Sequence, residues 1–181
     1  MIRHTLAAIT LIILTGCSGM KAEQFAEATP PLELFDYFEG KTKAWGIFED
    51  RFGNLRRQFE VTIDGTVEGD TLTLDEYFTY RDGEKDRRVW TITREGPHQY
   101  SGTAGDVIGK AEGMLYGNAL NWQYDMDLKV GDSTWRVAFD DWLFRQPGGV
   151  IINRATVSRW GFTIGTVTLF FKKDEVSSGS S

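Results

Sequence analysis

Glu76 interrupts the alternating row Leu72, Leu74, Phe78, Tyr80 and shares its face. On the next run Trp90 and Ile92 mark an apolar face that also carries Arg88. If the five residues Arg81 to Lys85 connect these runs, Glu76 stands opposite Trp90 and diagonal to Arg88. A diagonal gap of roughly 7–8 Å is within reach of two long side chains. Inside an apolar cavity, such a pair is a polar anchor, with Arg88 meeting a ligand carboxylate or Glu76 acting as acid or base. The plainer reading is an internal ion pair, or a pair on the outer surface, because an unpartnered buried charge is costly.

A second group is Asp140-Asp141-Trp142, followed by Asn153-Arg154. Adjacent strand residues face opposite ways, so the two aspartates cannot form a close carboxylate pair. That disfavours a two-carboxylate hydrolase. A turn centred near Pro147 sets Asp140 opposite Arg154 and Asp141 opposite Asn153, and a one-residue slip sets Asp141 against Arg154. A cross-strand acid–base pair, acting first as a staple, is expected in either register. The candidate ligand-binding residues are therefore Glu76, Arg88, Trp90, Asp141 and Arg154. Asp50-Arg51 and Asp106 read as surface or capping residues near strand ends.

No catalytic or metal set is expected. The chain lacks a Gly-x-Ser-x-Gly elbow, a His-Glu-x-x-His helix, a phosphate loop and a Cys-x-x-Cys pair. Beyond the leader its one histidine is His98, in Gly96-Pro97-His98-Gln99, which rules out a multi-histidine metal site. An axial haem ligand is the alternative to a solvated hairpin-tip residue. The latter is adopted, and no cofactor is expected.

The elements that must position these residues are strands. Phe59, Val61 and Ile63 alternate with polar neighbours, as do Leu120, Trp122, Tyr124, Met126 and Leu128, and then Trp135, Val137, Phe139 and Leu143. Turn signals fall between them at Gly53-Asn54, Gly69-Asp70, Asp82-Gly83, Gly96-Pro97, Gly117-Asn118, Gly131-Asp132 and Pro147-Gly148-Gly149. The spacing predicts an all-β, antiparallel up-and-down meander barrel of about ten strands with one short N-terminal helix around Leu32 to Phe38. A Greek-key sandwich is the rival, but it would want longer crossovers.

The formal charge of −6 argues against a nucleic-acid partner, which needs a basic footprint. Arg3 and His4 precede the apolar stretch Leu6 to Leu14, which is too short to span a bilayer and has secretory proportions. It ends in Leu14-Thr15-Gly16-Cys17, which resembles the bacterial lipobox. The resemblance implies cleavage before Cys17 and its acylation, a membrane anchor worth about 0.8 kcal/mol per buried methylene. Ser18 stands where an Asp would signal inner-membrane retention, and resemblance to that lipoprotein sorting rule implies the outer membrane, facing the periplasm, as the expected address. The organisation expected is a signal peptide over 1–16, a lipidated N-terminus and tether over 17–31, the barrel over 32–174 and a disordered tail over 175–181.

Ala44-Trp45-Gly46, Asp50-Arg51, Asp82-Gly83-Glu84, Gly117-Asn118-Ala119, Asp140-Asp141-Trp142 and Asn153-Arg154 carry a further likeness. Through them the span from about Phe35 to Lys173 resembles a family of uncharacterised Gram-negative envelope lipoproteins, a domain-of-unknown-function family. A looser similarity, through Trp45 after Gly40, is to the lipocalin and fatty-acid-binding superfamily. It implies a small ligand-holding barrel. The expected function is binding or carriage of a lipid or other apolar small molecule. The alternatives are a structural or assembly role on an envelope protein partner and a lipid-modifying enzyme using Glu76 and Arg88.

Overall fold

The computed structural model describes residues 19–173. Cys17, the lipobox-like run before it and the tail lie outside the described residues. A single 3-10 turn, Ala22–Phe25, and a short helix α1, Leu34–Phe38, precede the strands. The strands are β1 Gly40–Asp50, β2 Leu55–Glu68, β3 Thr71–Tyr80, β4 Lys85–Arg94 and β5 Gln99–Thr103. They continue as β6 Val107–Tyr116, β7 Ala119–Val130, β8 Ser133–Gln146, β9 Val150–Arg159 and β10 Phe162–Lys173.

Every strand pairs with its sequence neighbours, and β1 pairs with β10 to close the barrel. The expected meander of about ten strands is therefore the observed fold. Closure leaves no end strand unpaired for another chain to add to. Seven turns fall where Gly, Asn, Asp and Pro signal them. Two lack so strong a signal: the β5–β6 corner at 104–106 and the β9–β10 turn at Trp160-Gly161.

The helix plugs one end of the barrel. Leu34, Phe35, Tyr37 and Phe38 are all buried, alongside Ile63, Leu72, Trp90, Trp122 and Ile151. The Tyr37 hydroxyl donates to the carbonyls of Gly149 (2.9 Å) and Phe171 (3.2 Å), so the plug is tied to the strands as well as packed on them. At Gly65 any Cβ would come within 1.8 Å of the Phe38 carbonyl oxygen, so only glycine lets α1 seat this deeply.

The stretch expected to be a flexible tether is folded from Ala22 onward. Phe25 packs its ring on Phe144 (5.4 Å between centroids) and Trp142 (6.0 Å) on the outer face of β8. Leu32 donates its amide to the Gly117 carbonyl (2.8 Å) and is buried. Composition misleads here because two apolar anchors, Phe25 and Leu32, outweigh the polar residues between them.

Candidate functional site

Between the helix plug and the opposite rim, the inner wall carries ionisable groups. Glu76 (β3), Arg88 (β4), Tyr124 (β7) and Asp141 (β8) all lie on inward-facing rows. Above them are Phe78 and Phe59, with centroids 5.9 Å apart. Below are Trp90 and Trp122, 5.8 Å apart edge to face. Tyr124 stacks on Phe139 at 5.0 Å and meets Trp90 edge-on at 5.3 Å. Trp122 is admitted by two glycines, since a Cβ at Gly102 or Gly113 would come within 2.6 or 2.5 Å of its ring.

The register corrects two expectations. The Tyr80 amide donates to the Glu84 carbonyl, so the β3–β4 ladder runs on to that pair and only Arg81, Asp82 and Gly83 turn the chain, two residues fewer than the five expected. Glu76 therefore faces Arg88 directly, and Trp90 faces Leu74. On the far side, the turn at 147–149 sets Trp142 opposite Arg154 and Asp141 opposite Ala155. Arg154 points outward and is exposed, so neither expected aspartate–Arg154 pair forms. Asp140 also faces out, where it accepts from Asn121 (2.7 Å) and Gln123 (3.1 Å).

Arg88 does not close on Glu76. Its Nε and Nη2 both donate to Asp106 Oδ2, at 3.0 and 2.7 Å. The reason lies in the wall. Only Thr91 to Arg94 of β4 pair with β5, and then the strands part. Continuing that register past its end brings Arg88 level with Asp106, so a two-pronged ion pair spans a split where backbone hydrogen bonds stop. Asp106 reads as a capping residue in sequence because its partner is set by the shortness of β5. Tyr124 is hidden inside an apolar row. Only the ladder exposes these two.

This leaves carboxyl groups in excess. Glu76 accepts no hydrogen bond from any described residue. Asp106 Oδ1 and Asp141 Oδ1 are buried without a hydrogen-bond partner. Burial pushes the Glu76 carboxyl up to about 7, against the pull of Arg88. It pushes Asp141 up to about 8, with neighbouring Asp140 adding to the rise and Arg88 opposing it. Burial likewise raises the Tyr124 hydroxyl, so it stays protonated as a donor.

Glu76, Phe78, Arg88, Tyr124 and Asp141 are deep within the barrel yet only half-buried. An inward side chain of a closed barrel retains accessible surface only where the interior holds space. The helix end is closed by buried side chains, whereas the inward side chains of this cluster keep accessible surface. Two shallow grooves of about 570 and 590 Å³ lie on the outer wall instead, lined mostly by outward side chains such as Glu112, Asp140 and Thr156, or Trp45, Ile47 and Phe170. The first also touches Tyr124 and Phe139 of the inner rows, and the second Phe59.

His98 sits at the exposed β4–β5 tip, stacked on Tyr116 at 3.9 Å with its Nδ1 2.9 Å from the Leu115 carbonyl. That contact places the proton on Nδ1. Elsewhere on the surface the rim opposite α1 is strongly apolar: Trp160 is 82 % exposed, Phe52 74 % and Phe162 71 %. The hairpins that carry them adjoin, as Arg51 donates its amide to the Ile164 carbonyl (3.0 Å).

A solved structure of an S-type phycobiliprotein lyase from Guillardia theta is similar in fold, with a TM-score of 0.59 at 11 % identity, covering 79 % of this chain and 92 % of that one. No curated protein matches the chain. A family model described as a protein of unknown function (DUF3833) matches residues 11–173, nearly the whole length, and the chain belongs to that family.

Proposed function

We propose that this protein is a lipoprotein, held to the periplasmic face of the outer membrane by acylated Cys17, whose barrel binds a mostly apolar small molecule. The lipobox-like Leu14-Thr15-Gly16-Cys17 supports the anchor. The observation that carries the binding reading is the unsatisfied Glu76–Asp141 cluster, half-buried in an aromatic-walled interior. Ligand sites combine an apolar lining with a few convergent polar groups in this way. A barrel evolved only for rigidity would fill that volume with aliphatic side chains, because unpaired buried carboxyls cost stability.

Native mass spectrometry of the protein released from membranes in mild detergent tests this. A reproducible mass increment, removed by organic extraction and lost in a Glu76→Leu, Asp141→Leu double variant, is the expected result. A protein that never carries or takes up an apolar compound defeats the reading.

A second reading, docking onto an envelope partner, is favoured by the rim. Three aromatics more than 70 % exposed at adjoining hairpins form the kind of patch that marks an interaction site. In-cell photocrosslinking from position 162 distinguishes the two, since docking yields a discrete protein adduct and ligand carriage alone does not.

A further inference from the structure

The charge balance inside the barrel selects between the two ends of an amphiphile, given the interior-binding reading above. Arg88 is the one guanidinium in the cluster, and Asp106 already occupies it through both Nε and Nη2. That pair is neutral as a unit. What remains on the inner wall is Glu76, which accepts no hydrogen bond from any described residue, and Asp141, which Tyr124 hydrogen-bonds but one of whose oxygens is buried without a partner.

Arg94 and Arg145 lie at the α1 end, over Phe35 (4.8 Å) and Tyr37 (5.4 Å). Arg57 and Arg159 are drawn to the rim, over Tyr80 (4.0 Å) and Trp135 (4.2 Å). Arg145 has a buried Nε without a hydrogen-bond partner, but it lies against the plug, so around Glu76 and Asp141 the wall can furnish a spare negative charge and no spare positive one. A buried ion needs a countercharge. A ligand carboxylate would have to displace Asp106 from Arg88 and leave Asp106 unpaired at the wall. An ammonium group is matched once one of the two carboxyls gives up its proton, because its donors then meet one acceptor-only carboxylate and the carbonyl oxygen of the other.

We propose that the barrel interior takes an amphiphile with a cationic amine end, lodged between Glu76 and Asp141, and turns away one that ends in a carboxylate. This reverses the role first expected of Arg88, which is a wall clasp and not a ligand anchor. Because Glu76 and Asp141 hold protons when the site is free, binding an ammonium at pH 6 expels a proton from one of them.

The test is isothermal titration of the full chain in neutral phosphatidylcholine nanodiscs, with empty discs as blank, using decylamine, decanol and decanoate. Decylamine is expected to bind at least tenfold tighter than decanoate. At pH 6 its heat should differ between buffers of low and high ionisation enthalpy by the amount that one released proton requires. Asp106→Asn frees Arg88 and should narrow or reverse the preference, while Glu76→Gln with Asp141→Asn should abolish it.

The comparison in the unaltered protein stands even if a variant fails to fold. Decanoate binding as tightly as decylamine, or no proton release, overturns the head-group assignment and leaves interior binding intact. If none of the three probes binds above the blank, interior binding falls and the assignment falls with it.

Discussion

Glu76 and Asp141 make the barrel's stability a function of pH. In the folded chain Glu76 keeps its proton to about pH 7 against an ordinary 4.5, and Asp141 to about 8 against 3.8, burial being the first cause in both. Within those windows the folded state binds more protons than the unfolded one, so stability is greatest on the acid side and is lost as pH rises. The groups that face Glu76 are Arg88, Asp106, Tyr124 and Asp141, and only Arg88 opposes the rise. Each factor of ten in an acid constant corresponds to about 1.4 kcal/mol. Allowing for water reaching a half-buried group, Glu76→Gln should gain about 2 kcal/mol at pH 8.5 and almost nothing at pH 4. Urea midpoints across pH measure this, and equal gains at both ends would refute it. Trp160 raises a separate question, since its φ of 53° is left-handed and it precedes Gly161 in a two-residue hairpin turn. Asn-Gly is the pair that such turns favour. Trp160→Asn should therefore raise the melting point, by about 1 kcal/mol of relieved strain less the stacking of Arg159 on the ring at 4.1 Å. A large exposed ring kept in an unfavourable conformation is best explained by contact with something outside the chain, as the docking reading requires. A fall in melting point on making that change would remove the point.

At the scale of single elements, β5, β6 and β7 are fitted together through one indole. Trp122 lies over backbone that carries no side chain at Gly102 and Gly113. Gly113→Ala puts a methyl about where the ring sits, 2.5 Å away, and overpacking of this kind costs roughly 1–3 kcal/mol. Trp122→Leu in that background should recover part of the loss, read as the urea midpoint of the double variant against each single one. A simple sum of the two losses would show that the contact is not what matters. Strand identity was legible in sequence for a related reason: a half-buried wall forces a period of two, as in Phe59, Val61 and Ile63, and Gly-Asn or Asp-Gly pairs punctuate it. Register was not legible. It turns on loop length, and a β3–β4 turn two residues shorter than expected placed Arg88 instead of Trp90 opposite Glu76. The turn at 147–149 likewise moved Asp141 from Asn153 to Ala155 and left Arg154 outside. Asp106 was unreadable because its role depends on where β5 stops.

Taken whole, the barrel is closed but unevenly sewn. From Val130 back to Ala119 β7 is paired with β8, and β8 with β9 from Gln146 to Ala138. By contrast β4 meets β5 only over Thr91 to Arg94, and β5 meets β6 only over Gln99 to Gly102. Beyond that, one ion pair at 2.7 Å, 23 % and 33 % exposed on its two sides, holds the wall. An exposed or half-exposed ion pair contributes about 1 kcal/mol or less, far below what a run of ladder hydrogen bonds and packed side chains resists. The segment from β4 to the start of β6 should be the first part of the molecule to open. Because the split lies beside Arg88, which faces Glu76, it offers a lateral path from solvent to the cluster. Native-state amide exchange should find the lowest opening free energies at 99–108 and the highest in β7–β9. Asp106→Ala should speed exchange at the former by roughly threefold to fivefold, as loss of about 1 kcal/mol implies, and leave the latter unchanged. Uniform acceleration over all ten strands would mean that the pair supports the whole barrel and that no local port exists. Acceleration confined to the split, together with faster uptake of an apolar probe and an unaltered affinity, would identify the route by which the interior is filled.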